Sequence, residues 1–421
     1  MSTQQKNYTL PIAMMFALFF MIAFVTGLQN PMGVIVKNQF EASNFQSQLG
    51  NLANFIAYAF MGIPAGLMLQ KIGYKKTALA AILTGIVGVG ITFLSGRLGS
   101  FPVYLGGAFI AGFSMCMLNT VVNPMLNTLG SGGKRGNQLL QFGGTFNSVG
   151  ATIVPVLVGY LMGDVAKASI SDANPALFLA MGIFALAFLV LYLMDIPEPH
   201  IITEKSSVKN THSPMSFRHF ILGAVAIFIY VGTEVGIPNI ANLYMTGDLQ
   251  INPTTAGTVV GTYWFLMLIG RLVGGVLGSK FSSKGMLTFV SLLGLGFVLS
   301  AIFLPKDQMV SMPVFQSDIS FGFAQVPLSI MLLVLCGLCT SVMWGGIFNL
   351  ATAGLGKYTA AASGIFMVMV CGGGIVPAVQ GWVADLFGYV ESYWIVVLCL
   401  VYLLFYALVG SKNVNKDIKV D

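Results

Sequence analysis

Charge is what this 421-residue chain has least of: Asp, Glu, Lys and Arg together make up 8% of it, where a soluble domain carries about 25%. Hydrophobic residues make up 56%. So little charge cannot cover a water-facing surface of this size, which excludes a soluble enzyme and a soluble nucleic-acid-binding protein. The net charge of +6 is accordingly no sign of a nucleic-acid partner; what matters is where the basic residues sit. Histidine is nearly absent. His200, His212 and His219 fall in or beside one polar segment, away from any metal-ligand grouping, and no Ser-His-Asp set can be assembled at membrane depth. Neither a metal site nor an enzyme is expected. The five cysteines lie in apolar stretches, and Cys336 and Cys339 spell C-x-x-C with no His or second pair nearby, so they read as buried inert thiols. SGGKRG (131–136) fails the phosphate-loop pattern because Arg135 follows Lys134, and GIVGVG (85–90) lies in an apolar run and reads as small-residue helix packing.

What the chain has instead is long apolar runs. A helix needs about 20 apolar residues to cross the hydrocarbon. Twelve runs qualify, at residues 9–36, 45–70, 77–95, 102–128, 137–163, 173–194, 217–246, 252–281, 286–304, 325–354, 358–386 and 389–411. The first is too long for a signal-peptide core and has no small-residue cleavage site, so it reads as a span. The longest polar interruption, 195–216, divides the chain into two six-helix bundles, 1–194 and 217–421, joined by a linker. The expected fold is an all-α membrane protein. With the N-terminus inside, fifteen Lys and Arg residues fall on the inner side, and only Lys37, Arg97, Lys167 and Lys306 fall outside. The positive-inside rule then places both termini in the cytoplasm, with the protein in the cell's inner membrane.

The halves repeat. PAGLMLQKIGYK (64–75) in span 2 lines up with VGGVLGSKFSSK (273–284) in span 8, NPMLNTLGSGGK (123–134) with NLATAGLGKYTA (349–360), and VGATIVPVLVGYLMG (149–163) with CGGGIVPAVQGWVAD (371–385). Parallel six-helix repeats around a midplane site are the architecture of alternating-access transporters. The stretch G-x-x-x-x-K-x-G-x-K-K from Gly66 to Lys76 resembles the signature loop of the major facilitator superfamily, with Gln70 in place of the usual acidic residue. LQNPMG (28–33), NTVVNPMLNTLG (119–130), TFNSVGA (145–151), YVGTEVGI (230–237) and GGGIVPAVQG (372–381) resemble its fucose–galactose–glucose symporter family. The resemblance covers all twelve spans and implies a sugar permease driven by a cation gradient. In L-fucose:proton symport within that family, two acidic residues, one in span 1 and one in span 4, serve coupling and sugar binding. The matching positions here are Asn30 and Asn119, which cannot titrate. A glutamine of span 5 falls on Gly144, while the asparagine three residues later is kept as Asn147. The proton-coupled L-fucose assignment therefore does not carry over.

Two charges stand well inside spans. Glu234 costs roughly 2.5–3.5 kcal/mol at the bilayer centre on insertion scales, so it is expected to face a cavity or a partner. Tyr230, Gly232, Gly236 and Pro238 surround it. It reads either as a cation-coupling or sugar-binding carboxylate, or as half of a fixed ion pair. Arg271 lies about 15 Å from the inner end of span 8 at 1.5 Å per residue, and is read as a gating or structural residue that snorkels or pairs with carbonyls. Asn119 and Asn123, four apart on one helix face, offer donors and an acceptor to a sugar's hydroxyls or, equally, hold helices together. Asn147 sits among Gly143, Gly144 and Gly150, which leaves room for ligand contact or close packing. Gln29 and Asn30 precede Pro31 at the expected opening of a broken helix. Tyr263 and Trp344 are candidates for stacking on a sugar ring, and Asn349 and Asn54 complete the candidate lining.

The sequence reading is thus a monomeric secondary transporter with the major facilitator fold, importing a hexose or related monosaccharide by symport. Its partners are a small sugar and the bilayer. No cofactor is expected beyond the co-transported proton or sodium. An uncoupled facilitator is the mechanistic alternative, and a non-transporting receptor or scaffold the alternative of another class.

Overall fold

A computed structural model describes residues 8–129, 133–162, 168–198, 212–277, 281–316, 320–355, 358–415 and 417–418. SGGKRG lies partly, and the 195–216 segment mostly, outside the described residues. The first span is α1 (Thr9–Gly27) followed by α2 (Gln29–Gln39), and a capped turn, α3 (Asn44–Ser47), closes its far end. α4 (Leu49–Leu98) carries spans 2 and 3 as one 50-residue element kinked at Gly73. Spans 4 to 6 are α5 (Phe101–Leu129), α6 (Gly133–Met162) and α7 (Asn174–Leu193). Spans 7 to 9 are α8 (Arg218–Gly247), α9 (Pro253–Leu277) and α10 (Ser283–Phe303). Span 10 is α11 (Leu328–Thr340) with α12 (Met343–Thr352), and span 11 is α13 (Thr359–Met369) with α14 (Gly372–Phe387). α15 (Tyr389–Ser392) leads into α16 (Trp394–Phe405), which ends the chain's helices in a short π turn. Among the described residues, eleven segments are long and apolar enough to cross a membrane; α6, 30 residues long, supplies the twelfth span.

The structure refines the sequence boundaries at three places. Spans 2 and 3 are two helices that meet at a kink in place of a longer loop, where Gly73, at φ 84 and ψ 175, turns the chain in a conformation open essentially to glycine. The interruption in span 1 falls at Leu28, directly beside the Gln29–Asn30–Pro31 opening expected for it. The stretch between the runs 286–304 and 325–354 carries an antiparallel pair, β1 (Met309–Phe315) with β2 (Phe321–Pro327), so span 10 begins at Leu328 and not at 325. The hairpin follows from alternation, with Met312, Val314, Ala324 and Val326 buried and Phe321 and Phe323 exposed.

With the spans alternating in direction, α1 begins and α16 ends toward one face, here the terminal face, and α3, α15 and the hairpin lie toward the opposite, distal face. Two long seams join the halves. α6 packs along α9, and α4 packs along α13 and α14. Small residues permit the second seam: a Cβ on Gly374 would lie 2.8 Å from the Cα of Leu52, and one on Gly381 would lie 2.9 Å from the carbonyl oxygen of Asn44. Much of what remains exposed is apolar, as Phe60, Leu186, Phe289 and Leu398 illustrate. That is the surface expected of a chain solvated by lipid.

Candidate functional site

Proline builds the first cluster. Pro238 has no N–H to return to residue 234, so the Glu234 carbonyl is left without its helical donor. The Tyr263 hydroxyl donates to that oxygen at 3.0 Å and shares a second bond, also 3.0 Å, with Thr340 Oγ1. The break in the α8 ladder is thereby stitched to spans 8 and 10. The Glu234 carboxylate meets Arg271 Nη2 at 3.4 Å, and the Tyr230 hydroxyl adjoins both charges. Trp344 lies with its ring centroid 6.2 Å from that of Tyr230. Glu234, Arg271, Tyr263 and Trp344, four residues picked from four separate stretches of sequence, thus gather around Tyr230.

Arg271 also reaches the other half. Its Nη1 donates to the Gly144 carbonyl and to Ser148 Oγ on α6, both at 2.7 Å. Pairing with a carbonyl was expected; pairing with Glu234 was not, because nothing in the sequence sets these two residues, on different spans, side by side. Gly144 matters for its missing side chain: even a Cβ there would stand 3.7 Å from Nη1. A longer side chain would compete with the guanidinium for the same space.

The predicted asparagines occupy the N-terminal half. Asn119 Nδ2 donates to the Tyr58 hydroxyl and to the Met115 carbonyl, each at 3.1 Å. Asn123 Nδ2 donates to the Asn119 carbonyl at 2.8 Å, and Asn147 Nδ2 to the Phe19 carbonyl at 3.1 Å. All three keep partly exposed side chains. Asn54 is fully buried and donates to Ala108 O at 3.3 Å, which ties span 2 to span 4. Asn349 is exposed on α12. The side chains of Gln29 and Asn30 lie outside the described residues. No grouping of His, Cys, Asp and Glu suited to a metal ion occurs among the described residues.

A second cluster, on the distal face, was not singled out from the sequence. Pro377 leaves the Gly373 carbonyl without its helical donor, and Asn51 Nδ2, from the other half, takes it at 2.8 Å. Asn239 Nδ2 donates to Gln48 Oε1 at 3.2 Å, again across the halves. Asp385 accepts the backbone N–H groups of Asn44 and Phe45 at 2.8 and 2.9 Å and so caps α3 from the opposite half. Lys37 Nζ donates to Asn44 Oδ1 at 2.6 Å and to the Tyr389 hydroxyl at 2.5 Å, and that hydroxyl donates to Asn44 Oδ1 at 2.7 Å. The distal face is therefore closed. Pro377, like Pro238 in the first cluster, is a readable signal, since an intrahelical proline announces a free carbonyl one turn earlier; the donor that answers it is set by the fold.

Comparison with known proteins agrees with this architecture. The family model described as Major Facilitator Superfamily matches residues 15–231 and again residues 222–419. A Helicobacter pylori (strain ATCC 700392 / 26695) relative whose name includes glucose/galactose transporter is 30% identical over 428 residues, covering 97% of this chain and 99% of that protein. The glucose/galactose transporter of Brucella abortus biovar 1 (strain 9-941) is 28% identical over 419 residues, covering 98% and 97%. The L-fucose-proton symporter of Escherichia coli (strain K12) is 24% identical, covering 97% and 95%. Among solved structures, the transporter FucP in the outward conformation superposes with a TM-score of 0.71 at 22% identity, over 96% of this chain and all of that one. These matches, with twelve spans arranged as two repeats, mean that the chain belongs to the major facilitator superfamily.

Proposed function

We propose that this protein imports a hexose or closely related monosaccharide by cation symport, with Glu234 as the coupling carboxylate. One observation carries the reading: the only ion pair between spans among the described residues, Glu234–Arg271, is bonded through Arg271 to Gly144 and Ser148 of the other half. A proton or sodium ion on Glu234 would cancel its charge and alter its hold on Arg271. Arg271 would in turn alter the contact between α9 and α6. Cation occupancy and the relation of the halves would then be linked through one guanidinium, as alternating access requires. With Asn30 and Asn119 unable to titrate, Glu234 is the carboxylate left to do this. The names of the Helicobacter, Brucella and Escherichia relatives support a sugar substrate, and the amides of Asn119, Asn123 and Asn147 suit hydroxyl recognition.

In this reading two six-helix bundles, 1–194 and 217–421, rock about the site while the 195–216 linker joins them. The protein works as a monomer in the inner membrane with both termini cytoplasmic, which puts the distal face on the side away from the cytoplasm. An uncoupled facilitator is favoured by one observation: Glu234 already has a counter-charge, and a permanent pair would couple to nothing. Equilibrium exchange in proteoliposomes tests the substrate class without needing any gradient. D-Glucose, D-galactose and L-fucose are each offered outside against the same sugar inside. Exchange of at least one hexose, and none of a disaccharide, is expected; no exchange of any monosaccharide would overturn the sugar assignment.

A further inference from the structure

The distal closure contains polar atoms that closure does not satisfy. Gln380 is fully buried, yet neither its Nε2 nor its Oε1 has a hydrogen-bond partner. Asn239, 4% exposed, spends its Nδ2 on Gln48 and leaves Oδ1 unpartnered. Buried polar groups in folded proteins are almost always paired, so three orphaned atoms in one place need a reason.

Their placement supplies it. Gln48, from span 2, packs where four spans of both halves meet: its Cγ would lie 3.3 Å from a Cβ on Gly381 of span 11, its Nε2 4.0 Å from one on Gly33 of span 1, and its Oε1 accepts from Asn239 of span 7. Gln380 adjoins Gly236, one turn before Asn239, where a Cβ would stand 2.7 Å from its Oε1. The absent side chain at Gly236 is what lets the Gln380 amide lie against span 7. If these amides served only to glue helices, the arrangement beside them shows what that looks like: Asn51 has a complete partner in the carbonyl freed by Pro377. The Gln380 amide offers a donor and an acceptor side by side, the complement of two neighbouring hydroxyls on a pyranose ring.

We propose that Gln48, Asn239 and Gln380 form a sugar-recognition site at the distal mouth, which closure collapses and opening exposes. With the halves apart, Gln48 and Asn239 are released from each other, and the three amides face incoming polyol. With the halves together, Gln48 and Asn239 satisfy each other in part, and the orphaned atoms raise the free energy of the closed, empty mouth. The site lies on the distal side of Glu234 along α8 and takes the same class of ligand earlier in the cycle. This inference rests on the sugar-import reading.

Equilibrium exchange of the best-exchanged monosaccharide tests it, with sugar varied on one side at a time in oriented proteoliposomes. Gln380→Met keeps the volume and removes the amide; Asn239→Leu is the second variant. In each, the distal-side KM is expected to rise about tenfold more than the terminal-side KM, the size of losing one or two neutral hydrogen bonds to ligand. Removing an unpaired buried amide should also leave the melting temperature in detergent unchanged or higher. A lower melting temperature with both KM values moving together would overturn the proposal, because the amide would then be structural. So would unchanged KM values in both variants. A parent protein that exchanges no monosaccharide would remove the sugar reading itself, and this inference with it; normal parent exchange with indifferent variants would remove this inference alone.

Discussion

At the scale of single residues, Arg271 is held by partners from both halves. It holds a carboxylate, a carbonyl and a hydroxyl from three positions on two other spans. Replacing one member of a buried pair strands the other charge, which costs about 3–5 kcal/mol, whereas replacing both with neutral groups costs much less. Arg271→Met alone should therefore lower the melting temperature in detergent strongly, and Glu234→Gln with Arg271→Met should recover most of the loss. A double variant no better than Arg271→Met would show that the pair is not what stabilises this region. Both charges were legible in the sequence, because an ionisable residue inside an apolar run needs no alignment to be noticed. Their pairing was not legible, since Glu234 and Arg271 lie on different spans and nothing local fixes which faces meet. Gln48, Asn51, Asn239 and Gln380 were illegible for a related reason: a lone amide in a span reads alike whether it is paired, buried or lining a mouth.

At the scale of elements, apolar length fixed the spans and glycine and proline fixed their details. Gly73 turns α4 with a backbone that a side chain resists, and the Glu198 carboxylate accepts from Tyr74 N at 2.6 Å and Lys75 N at 3.1 Å just past the turn. A Cβ on Gly73 would lie 2.6 Å from Glu198 Oε2. Gly73→Ala should consequently cost about 1–3 kcal/mol, the usual strain of such a conformation, read as a lower melting temperature. An unchanged melting temperature would mean the turn relaxes freely. The β1–β2 hairpin escaped the sequence reading because Pro305, Lys306 and Asp307 begin the segment as a loop would, and the alternation that follows is only seven residues long on each strand. Short alternating stretches between strong helical runs are easily read as connection.

At the scale of the whole molecule, the two halves are fastened at two depths. The distal face is shut by Lys37, Asn44, Asp385 and Tyr389, with Asn51 and Gln48 below them. Deeper in, Arg271 carries the bond from α9 to α6. Twelve spans and two repeats were readable from hydropathy and from the offset between halves. The state of closure was not, because the contacts between the halves join residues more than a hundred positions apart. Transport requires these contacts to be exchanged for another set, and the account assigns control of that exchange to the charge on Glu234. The most direct test is sugar accumulation in proteoliposomes under an imposed pH gradient or an imposed sodium gradient, comparing the parent with Glu234→Gln. The account predicts that one gradient drives the parent to accumulate sugar above equilibrium, and that Glu234→Gln still exchanges sugar but accumulates none. Accumulation by Glu234→Gln equal to the parent's would contradict it.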